Sequence, residues 1–390
     1  MRILLVHNRY KQPGGEDSVF QVESDMLVAN GHVVEHLLYE NSHIKTFIDK
    51  ITSGLLTIYN PRSAHAIKLR ISAFKPDLIH VHNFFPLISP SVFFVSKRMN
   101  VPVIFTLHNY RLICPSATLF FDGKIYEKSI HSMFPIDAIR KAVYRNSRIQ
   151  TALVSLLTLT HHFLGTWKNK VSGYIVLTRF AKQKFKNSRL ALQESKLFLK
   201  PNFVTDNGSG SIIRQDFFLF VGRLTQEKGI ETLLNALTKC DFKLTIIGDG
   251  PLRKLVEDAA QKNKAIHYLG PQSKSEVISQ MKNCRALIFP SVWYEGFPLT
   301  ILEAFSTGTP VIASSLGGMK EIIQNRMNGL HFIAGDVQDL ISKIMEISAE
   351  RGLATRIGEN ARLTYLEHYS PSKNYEKLMG VYQQVIDQRS

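Results

Sequence analysis

Four consecutive apolar residues, Ala286–Phe289, run into a Pro290-Ser291 break. A Glu295-Gly296-Phe297-Pro298 loop follows, and a second apolar run occupies residues 309–313. Between loop and second run, Leu299–Ser306 has the length and composition of a two-turn helix. Pro298 suits its first turn, where a missing N–H costs no hydrogen bond. Gly308 sits where a left-handed residue would close the helix. An unbroken apolar run is a strand covered on both faces, and two such strands joined through a helix run parallel. Residues 290–315 therefore commit this part of the chain to a parallel sheet covered by helices.

The same stretch predicts an anion site. Backbone N–H groups between Gly296 and Thr300 have no helical partner and point out of the positive end of the helix dipole. The loop lies at the carboxyl end of a parallel strand, where open α/β sheets bind ligands. Glu295 and Glu303 bracket it. A carboxylate beside a phosphate site makes electrostatic sense when it binds hydroxyls, and a ribose and a sugar supply them. The stretch predicts a nucleotide-sugar site.

Strand–loop–helix units recur along the chain. An apolar run at residues 2–6 leads into a loop holding Gly14 and Gly15, then a helical stretch at residues 18–30. Two adjacent glycines before a helix allow close approach of backbone to a ligand, and equally a plain flexible turn. Residues 44–71 read as a basic amphipathic helix. A strand at residues 76–82 ends in His80 and His82, which project from one face. No carboxylate or cysteine is expected to complete the set, so no metal is expected there. The strand at residues 101–107 ends at His108-Asn109, and an insertion rich in turn residues follows at 111–126. In the second half, a strand at residues 217–221 opens onto Gly222-Arg223-Leu-Thr-Gln-Glu-Lys228-Gly229, and another ends at Gly248. Arg223 and Lys228 thus stand in a strand-to-helix loop, a fork of donors and a point charge for phosphate oxygens.

Glu295, seven intervening residues and Glu303, within E-G-F-P-L-T-I-L-E-A, resemble the signature of retaining GT-B glycosyltransferases of family 4. The runs Gly308-Thr-Pro-Val-Ile-Ala313 and Gly317-Gly-Met-Lys-Glu321 are similar to the same family, and the likeness extends over nearly the whole chain. The resemblance implies an α/β fold of two Rossmann-like, doubly wound domains facing a cleft. The expected division is an acceptor-side domain at 1–204, a linker at 205–211 and a nucleotide-sugar domain at 212–370. A helix at 371–390 would cross back to the first domain. It also implies roles. Arg223 and Lys228 hold the donor diphosphate, Glu303 the ribose and Glu295 the sugar hydroxyls, while His108 orients the sugar. Gly14, Gly15, Gly222, Gly248, Gly296, Phe297, Pro298, Leu299 and Thr300 line the donor. Two departures stand out. Asn109 replaces the family's usual Asp, and Phe203 replaces the glycine of its Pro-Asn-Gly. Retention follows from the resemblance alone. The chain contains no Asp-x-Asp triplet, and two cations already serve the phosphates, so neither metal nor cofactor is expected.

Charge points to the acceptor. The net charge is +16, and residues 1–200 hold 27 Lys and Arg against 12 Asp and Glu. The apolar segment at 151–164 is flanked by Arg140, Lys141, Arg145 and Arg148 before it and by Trp167, Lys168 and Lys170 after it. It is either an interfacial helix, with Trp167 at headgroup depth on anionic lipid, or a core helix of the first domain. The expected acceptor is a saccharide on a polyprenyl diphosphate or lipid A core, at the cytoplasmic face of a bacterial inner membrane. No signal peptide or membrane-spanning run is read, and Cys114, Cys240 and Cys284 suggest no disulfide framework. Two rivals are a nucleotide-sugar 2-epimerase of the same fold and a non-enzymatic basic binding module. The paired cations and carboxylates argue against the first. The even charge of the second half and the lack of an aromatic–basic platform argue against the second, so no nucleic-acid partner is expected.

Overall fold

The computed structural model describes residues 1–10, 14–40, 56–211, 214–350 and 352–388. The chain divides into two units. Unit one is Met1–Phe121, Tyr126–Pro201 and Asn374–Ser390; unit two is Asp122–Ile125 and Asn202–Lys373.

Unit one is built on a six-stranded parallel sheet: β1 (Arg2–Arg9), β2 (Val33–Glu40), β3 (Leu78–Asn83), β4 (Val103–Leu107), β5 (Gly173–Val176) and β6 (Leu197–Leu199). Their order across the sheet is β2-β1-β3-β4-β5-β6. Ile3, Leu4, Leu5 and Val6 are all fully buried, as a strand with both faces covered requires. β1 continues past the expected Val6 because its end stays paired to β2 through Arg9↔Glu40. Asn83 Nδ2 also donates to the Asn8 carbonyl at 2.7 Å. Helix α1 (Gly15–Ala29) begins three residues earlier than the apolar pattern suggests. Asp17 Oδ2 accepts the Gly14 N–H at 2.8 Å, capping the first turn from inside the helix. Of the helix expected at 44–71, residues 44–55 lie outside the described residues. The described part is α2 (Pro61–Phe74), started by Asn60, whose side chain accepts from the amides of Arg62 and Ser63.

The apolar segment forms α3 (Arg148–Phe163), and of the two alternatives for it the interfacial one loses Trp167 as its anchor. Trp167 is 2% exposed and packs against Phe84, Phe93 and His161, with centroids 5.5–6.0 Å away. An indole committed to this aromatic core is not at headgroup depth. The helix is two-sided: Val154, Leu157 and His161 are buried, whereas Ile149, Leu156 and Phe163, spaced at seven, are exposed.

Unit two carries β7 (Phe218–Val221), β8 (Leu244–Ile247), β9 (Ile266–Gly270), β10 (Ala286–Phe289), β11 (Val311–Ser314) and β12 (Leu330–Phe332). These also pair in parallel, in the order β9-β8-β7-β10-β11-β12. Alternation puts Phe218 and Phe220 in one core and Leu219 in the other, with helices over both. Numbered within each unit, unit two follows 3-2-1-4-5-6 and unit one 2-1-3-4-5-6. Both are doubly wound, and the order reverses between β7 and β10 in unit two and between β1 and β3 in unit one.

Residues 205–211, expected as a linker, are hydrogen-bonded over unit two. Asp206 pairs with Arg362, Asn207 donates to Ser306 at 2.8 Å, and the Gly210 amide donates to the Thr307 carbonyl at 2.8 Å. The final helix, α4 (Pro371–Asp387), belongs to unit one from Asn374 onward. Tyr382 there is fully buried and lies 2.7 Å from His80 Nδ1.

Candidate active site

In unit two the expected residues gather at the switch point between β7 and β10. The loop after β7 carries Arg223 and Lys228 and closes on Gly229, at φ +71°. A Cβ at Gly229 would sit 1.9 Å from the Pro290 carbonyl oxygen, so only glycine lets the loop cross the end of β10. That crossing brings Lys228 Nζ 2.7 Å from Glu295 Oε1. Ser291 donates to the same oxygen at 2.6 Å. Glu295 is 6% exposed, and the Lys228 ammonium stands 5.4 Å over Phe289 and 5.5 Å over Trp293. Arg223 is exposed, and among the described residues no carboxylate pairs with it.

The helix after this loop has the bounds its sequence suggests, Leu299–Ser306. Its N-cap is Pro298, in extended conformation, and no side chain caps its amides. Gly308 follows at φ +64°. Glu303 is 13% exposed and pairs with Lys274 Nζ, from the helix Lys274–Asn283. Sequence reasoning missed Lys274; its only signal was a helix start one strand away. Gly248 has a packing reason: at φ +144°, a Cβ would fall 1.9 Å from the Gly222 carbonyl oxygen, whereas a Cβ at Gly222 would meet only the Phe220 ring at 3.5 Å.

Unit one places His108 just beyond β4, lining a cavity with His82, Phe85, Asn109 and Arg111. His108 Nε2 is 3.1 Å from His82 Nδ1. His82 Nε2 in turn is 3.2 Å from Glu23 Oε1, on α1. His80 Nδ1 also approaches Glu23 Oε1, at 3.1 Å, and its Nε2 lies 2.7 Å from Thr106 Oγ1. The other Glu23 oxygen accepts from Lys200, and both residues are 1% exposed. Burial pushes the Glu23 carboxyl up, but Lys200 and the imidazoles outweigh it and hold it well below the usual range. Burial, then the neighbouring His80, takes His82 down to about 3. Burial, then His82, holds His108 well below an ordinary histidine.

The reason for excluding a metal at His80 and His82 therefore fails. A carboxylate from α1, far away in sequence, completes the set, with ligand atoms within 4.8 Å of one another. Its charge is met by Lys200, and both nitrogens of His80 are engaged, by Tyr382 and Thr106. Asn109 shows a similar long-range supply. Its side chain donates to Glu16 Oε1 at 2.8 Å, so a carboxyl does stand beside the position where the family has Asp. Burial raises that carboxyl against the Asn109 hydrogen bond. Gly14 caps α1 and Gly15 begins it; residues 11–13 of their loop lie outside the described residues.

Two known families match in tandem: Glycosyltransferase Family 4 over residues 35–205 and Glycosyl transferases group 1 over residues 207–364. Among solved structures, HepE of Anabaena, crystallised with UDP, is similar with a TM-score of 0.71 at 15% identity. That match covers 98% of this chain and 100% of the other. The chain has the GT-B glycosyltransferase fold. An uncharacterized glycosyltransferase of Methanocaldococcus jannaschii is 37% identical over 43% of this chain and 46% of its own length. The O-antigen chain mannosyltransferase C of Escherichia coli is 27% identical over 46% and 49%. The GT-B chain thus spans about half the length of these two curated relatives.

Within this GT-B fold the structure brings Lys228 and Glu295 into contact and puts Arg223, Glu303 and the uncapped helix start on unit two. His108 stands on unit one. Glu23, His82 and Glu16 join the polar groups on unit one, and Lys274 those on unit two.

Proposed function

We propose that the chain transfers a sugar from a nucleoside diphosphate sugar to a hydroxyl of a saccharide acceptor carried on an anionic lipid. The observation that carries this reading is the Lys228–Glu295 pair at the switch point, beside an exposed Arg223 and an uncapped helix start. Cations and amides suit a diphosphate, and a carboxylate held by Ser291 suits sugar hydroxyls. A bound diphosphate offers Lys228 a second anion and leaves Glu295 lone pairs for the sugar. Glu303 takes the ribose hydroxyls and His108 orients the sugar. Arg223, Lys228 and the amides of Gly296–Thr300 stabilise the charge that grows on the leaving diphosphate.

In the step itself the bond from the anomeric carbon to the phosphate oxygen breaks and the bond to the acceptor oxygen forms. On a front-face path the leaving phosphate takes the acceptor proton and the configuration is retained. Two cations at the phosphates make a metal unnecessary in this scheme. A covalent glycosyl-enzyme trapped at any of these residues would overturn it.

The acceptor reading rests on unit one. The exposed row Ile149, Leu156 and Phe163, with Leu164, lies on the element flanked by Arg140, Lys141, Arg145 and Arg148. Apolar side chains with basic neighbours fit an anionic bilayer surface. Among the described residues no helix is long and apolar enough to cross a membrane. A polyprenyl diphosphate or lipid A core saccharide at the cytoplasmic face of a bacterial inner membrane is the acceptor setting this suggests. Binding to anionic liposomes is expected to fall with salt and to weaken in Phe163→Ser; indifference to lipid charge would refute it.

The donor test is a thermal-shift screen against UDP, GDP and ADP and their sugars. A rise with one nucleotide class, lost in Arg223→Ala, is the expected result. No rise with any of them would sink the enzyme reading.

A further inference from the structure

We infer that Arg111 and Glu16 form a subsite on unit one for an acidic sugar, the guanidinium taking a phosphate or carboxylate oxygen and the glutamate a neighbouring hydroxyl. This rests on the proposed function. It narrows the acceptor from a saccharide on an anionic lipid to one whose sugar carries the oxyanion directly.

Arg111 is a half-buried cation without a paired counter-charge. Its guanidinium meets the neutral hydroxyl of Tyr10, and Glu16 acts on it only through space. Nη1 is buried and has no hydrogen-bond partner among the described residues. A covered donor on a charged group is costly to leave unmet, so a ligand that meets it is favoured. Two rings set how that ligand is held. Phe85 lies 4.2 Å from the guanidinium carbon and Tyr144 5.1 Å. Rings against the guanidinium leave its N–H edge for bonding, the planar fork that suits a phosphate or carboxylate. Arg145, exposed, stands over the same Tyr144 ring at 5.3 Å, so a second cation lies one ring away.

Glu16 brings the complementary half. Asn109 ties the two residues together: its Nδ2 donates to Glu16 Oε1 at 2.8 Å, and its Oδ1 accepts from the Arg111 amide at 3.1 Å. Glu16 Oε2 is buried and also lacks a partner among the described residues. Burial raises this carboxyl, which makes it a weak counter-ion for Arg111. A hydroxyl suits it in either form, since a hydroxyl both donates and accepts. An unmet cationic donor and an unmet carboxyl oxygen, tied to one asparagine, call for an oxyanion beside a hydroxyl. That is an acidic sugar. The cavity that Arg111 and Asn109 line is about 20 Å³, so it admits one oxygen of such a ligand and leaves the sugar ring outside. In the proposed scheme Arg223 and Lys228 serve the donor diphosphate, so the oxyanion at Arg111 belongs to the second substrate.

The test is saturation-transfer NMR on the full chain with glucose 1-phosphate, glucuronate and methyl glucoside. Wild type is expected to bind at least one acidic sugar about tenfold tighter than the neutral glucoside. Binding of the phosphate alone assigns the oxyanion to a sugar phosphate, of glucuronate alone to a uronate, and either supports the inference. Arg111→Gln is expected to remove the preference, and Glu16→Leu to weaken the acidic sugar severalfold. Lys239→Gln, which takes the same charge from an exposed position on unit two, is expected to change nothing. Equal binding of acidic and neutral sugars overturns the inference, as does no binding of either acid. So does an unchanged affinity in Arg111→Gln or Glu16→Leu, or an equal loss in Lys239→Gln. Should Arg111→Gln fail to fold, Arg111→Lys keeps the charge without the fork; it is expected to weaken the preference, and an unchanged one overturns the inference. Titration of UDP, GDP and ADP into the same variants separates this from the donor reading. If Arg111→Gln weakens a nucleoside diphosphate as much as the acidic sugar, Arg111 serves the donor and the inference falls. If acidic sugars bind wild type but no nucleotide or nucleotide sugar does, the proposed function fails and the subsite stands. If nucleotides bind and acidic sugars do not, the subsite fails and the donor reading stands.

Discussion

The two units present polar groups in opposite ways. On unit two the charged groups sit in the loops after β7 and β10 and on the helices that follow β9 and β10, and Glu295 meets a lysine brought by a single glycine crossing. On unit one the network is internal. It draws Glu23 from α1, His80 and His82 from β3, Lys200 from beyond β6 and Tyr382 from the last helix, all 2% exposed or less. A loop site puts charges where a ligand can compete for them. An internal network keeps its charges away from water, where an unpaired one is costly. The difference teaches that stability and binding should separate between the units.

The largest expected effect is on the internal side. Glu23→Ala leaves Lys200 buried without its partner, a loss of about 3–5 kcal/mol. Glu23→Leu combined with Lys200→Met removes both charges and should recover most of it, because apolar pairs of similar volume replace buried ion pairs well. Urea unfolding of the three chains reads this directly. Equal destabilisation in the single and double variants would mean the network is packing rather than electrostatics, and the contrast between units would collapse.

The contrast also explains what could be read in advance. Unit two's candidate site was legible because its residues lie close together in sequence. Glu295, Gly296, Pro298 and Glu303 fall within nine residues, and the observed helix has the bounds that Pro298 and Gly308 imply. Unit one's network was not. His80 and His82 looked incomplete in sequence because Glu23, over fifty residues earlier, is joined to them by the packing of α1 on the sheet. Period-two and period-3.6 patterns say which face is buried, not which buried polar groups meet. The place of Trp167 stayed open for a related reason. An indole flanked by lysines fits a headgroup and fits a core, and only its neighbours Phe84 and Phe93 decide.

Gly229→Ala carries the next effect, on unit two. Left-handed strain alone costs about 1–3 kcal/mol, and the new methyl must also push Pro290 away. Since Gly229 sets the crossing that joins Lys228 to Glu295, nucleotide-induced stabilisation should fall with it. A variant that lost stability and kept its full ligand shift would separate the crossing from the site.

Acid distinguishes the units by a smaller margin. His82 and His108 have folded values below the unfolded 6.5, so the unfolded chain binds more protons as pH drops from about 6.5 toward 3. Their stability contribution is full above 6.5 and is lost through that window, on the order of 1–2 kcal/mol per histidine between pH 6.5 and 5. Glu23, held low, adds loss at still lower pH. In unit two His331 shifts in the same sense, but among the described residues no buried histidine cluster accompanies it. Unit one should therefore lose hydrogen-exchange protection first at pH 5. Equal loss in both units would break the comparison.

Arg223→Ala should leave stability within about 0.5 kcal/mol, since the side chain is exposed and pairs with nothing among the described residues. Yet a charge-assisted hydrogen bond to phosphate is worth about 1.5–3 kcal/mol, roughly ten- to a hundredfold in affinity. The expected signature is an unchanged melting temperature without ligand and a lost shift with nucleotide. Glu23→Ala should show the reverse: a large drop without ligand, and a retained shift with nucleoside diphosphate wherever the chain still folds. One residue would then bind without stabilising, and the other stabilise without binding. If both variants lost both properties, the diphosphate site would depend on unit one as much as on unit two, and the division drawn from burial would be the wrong one.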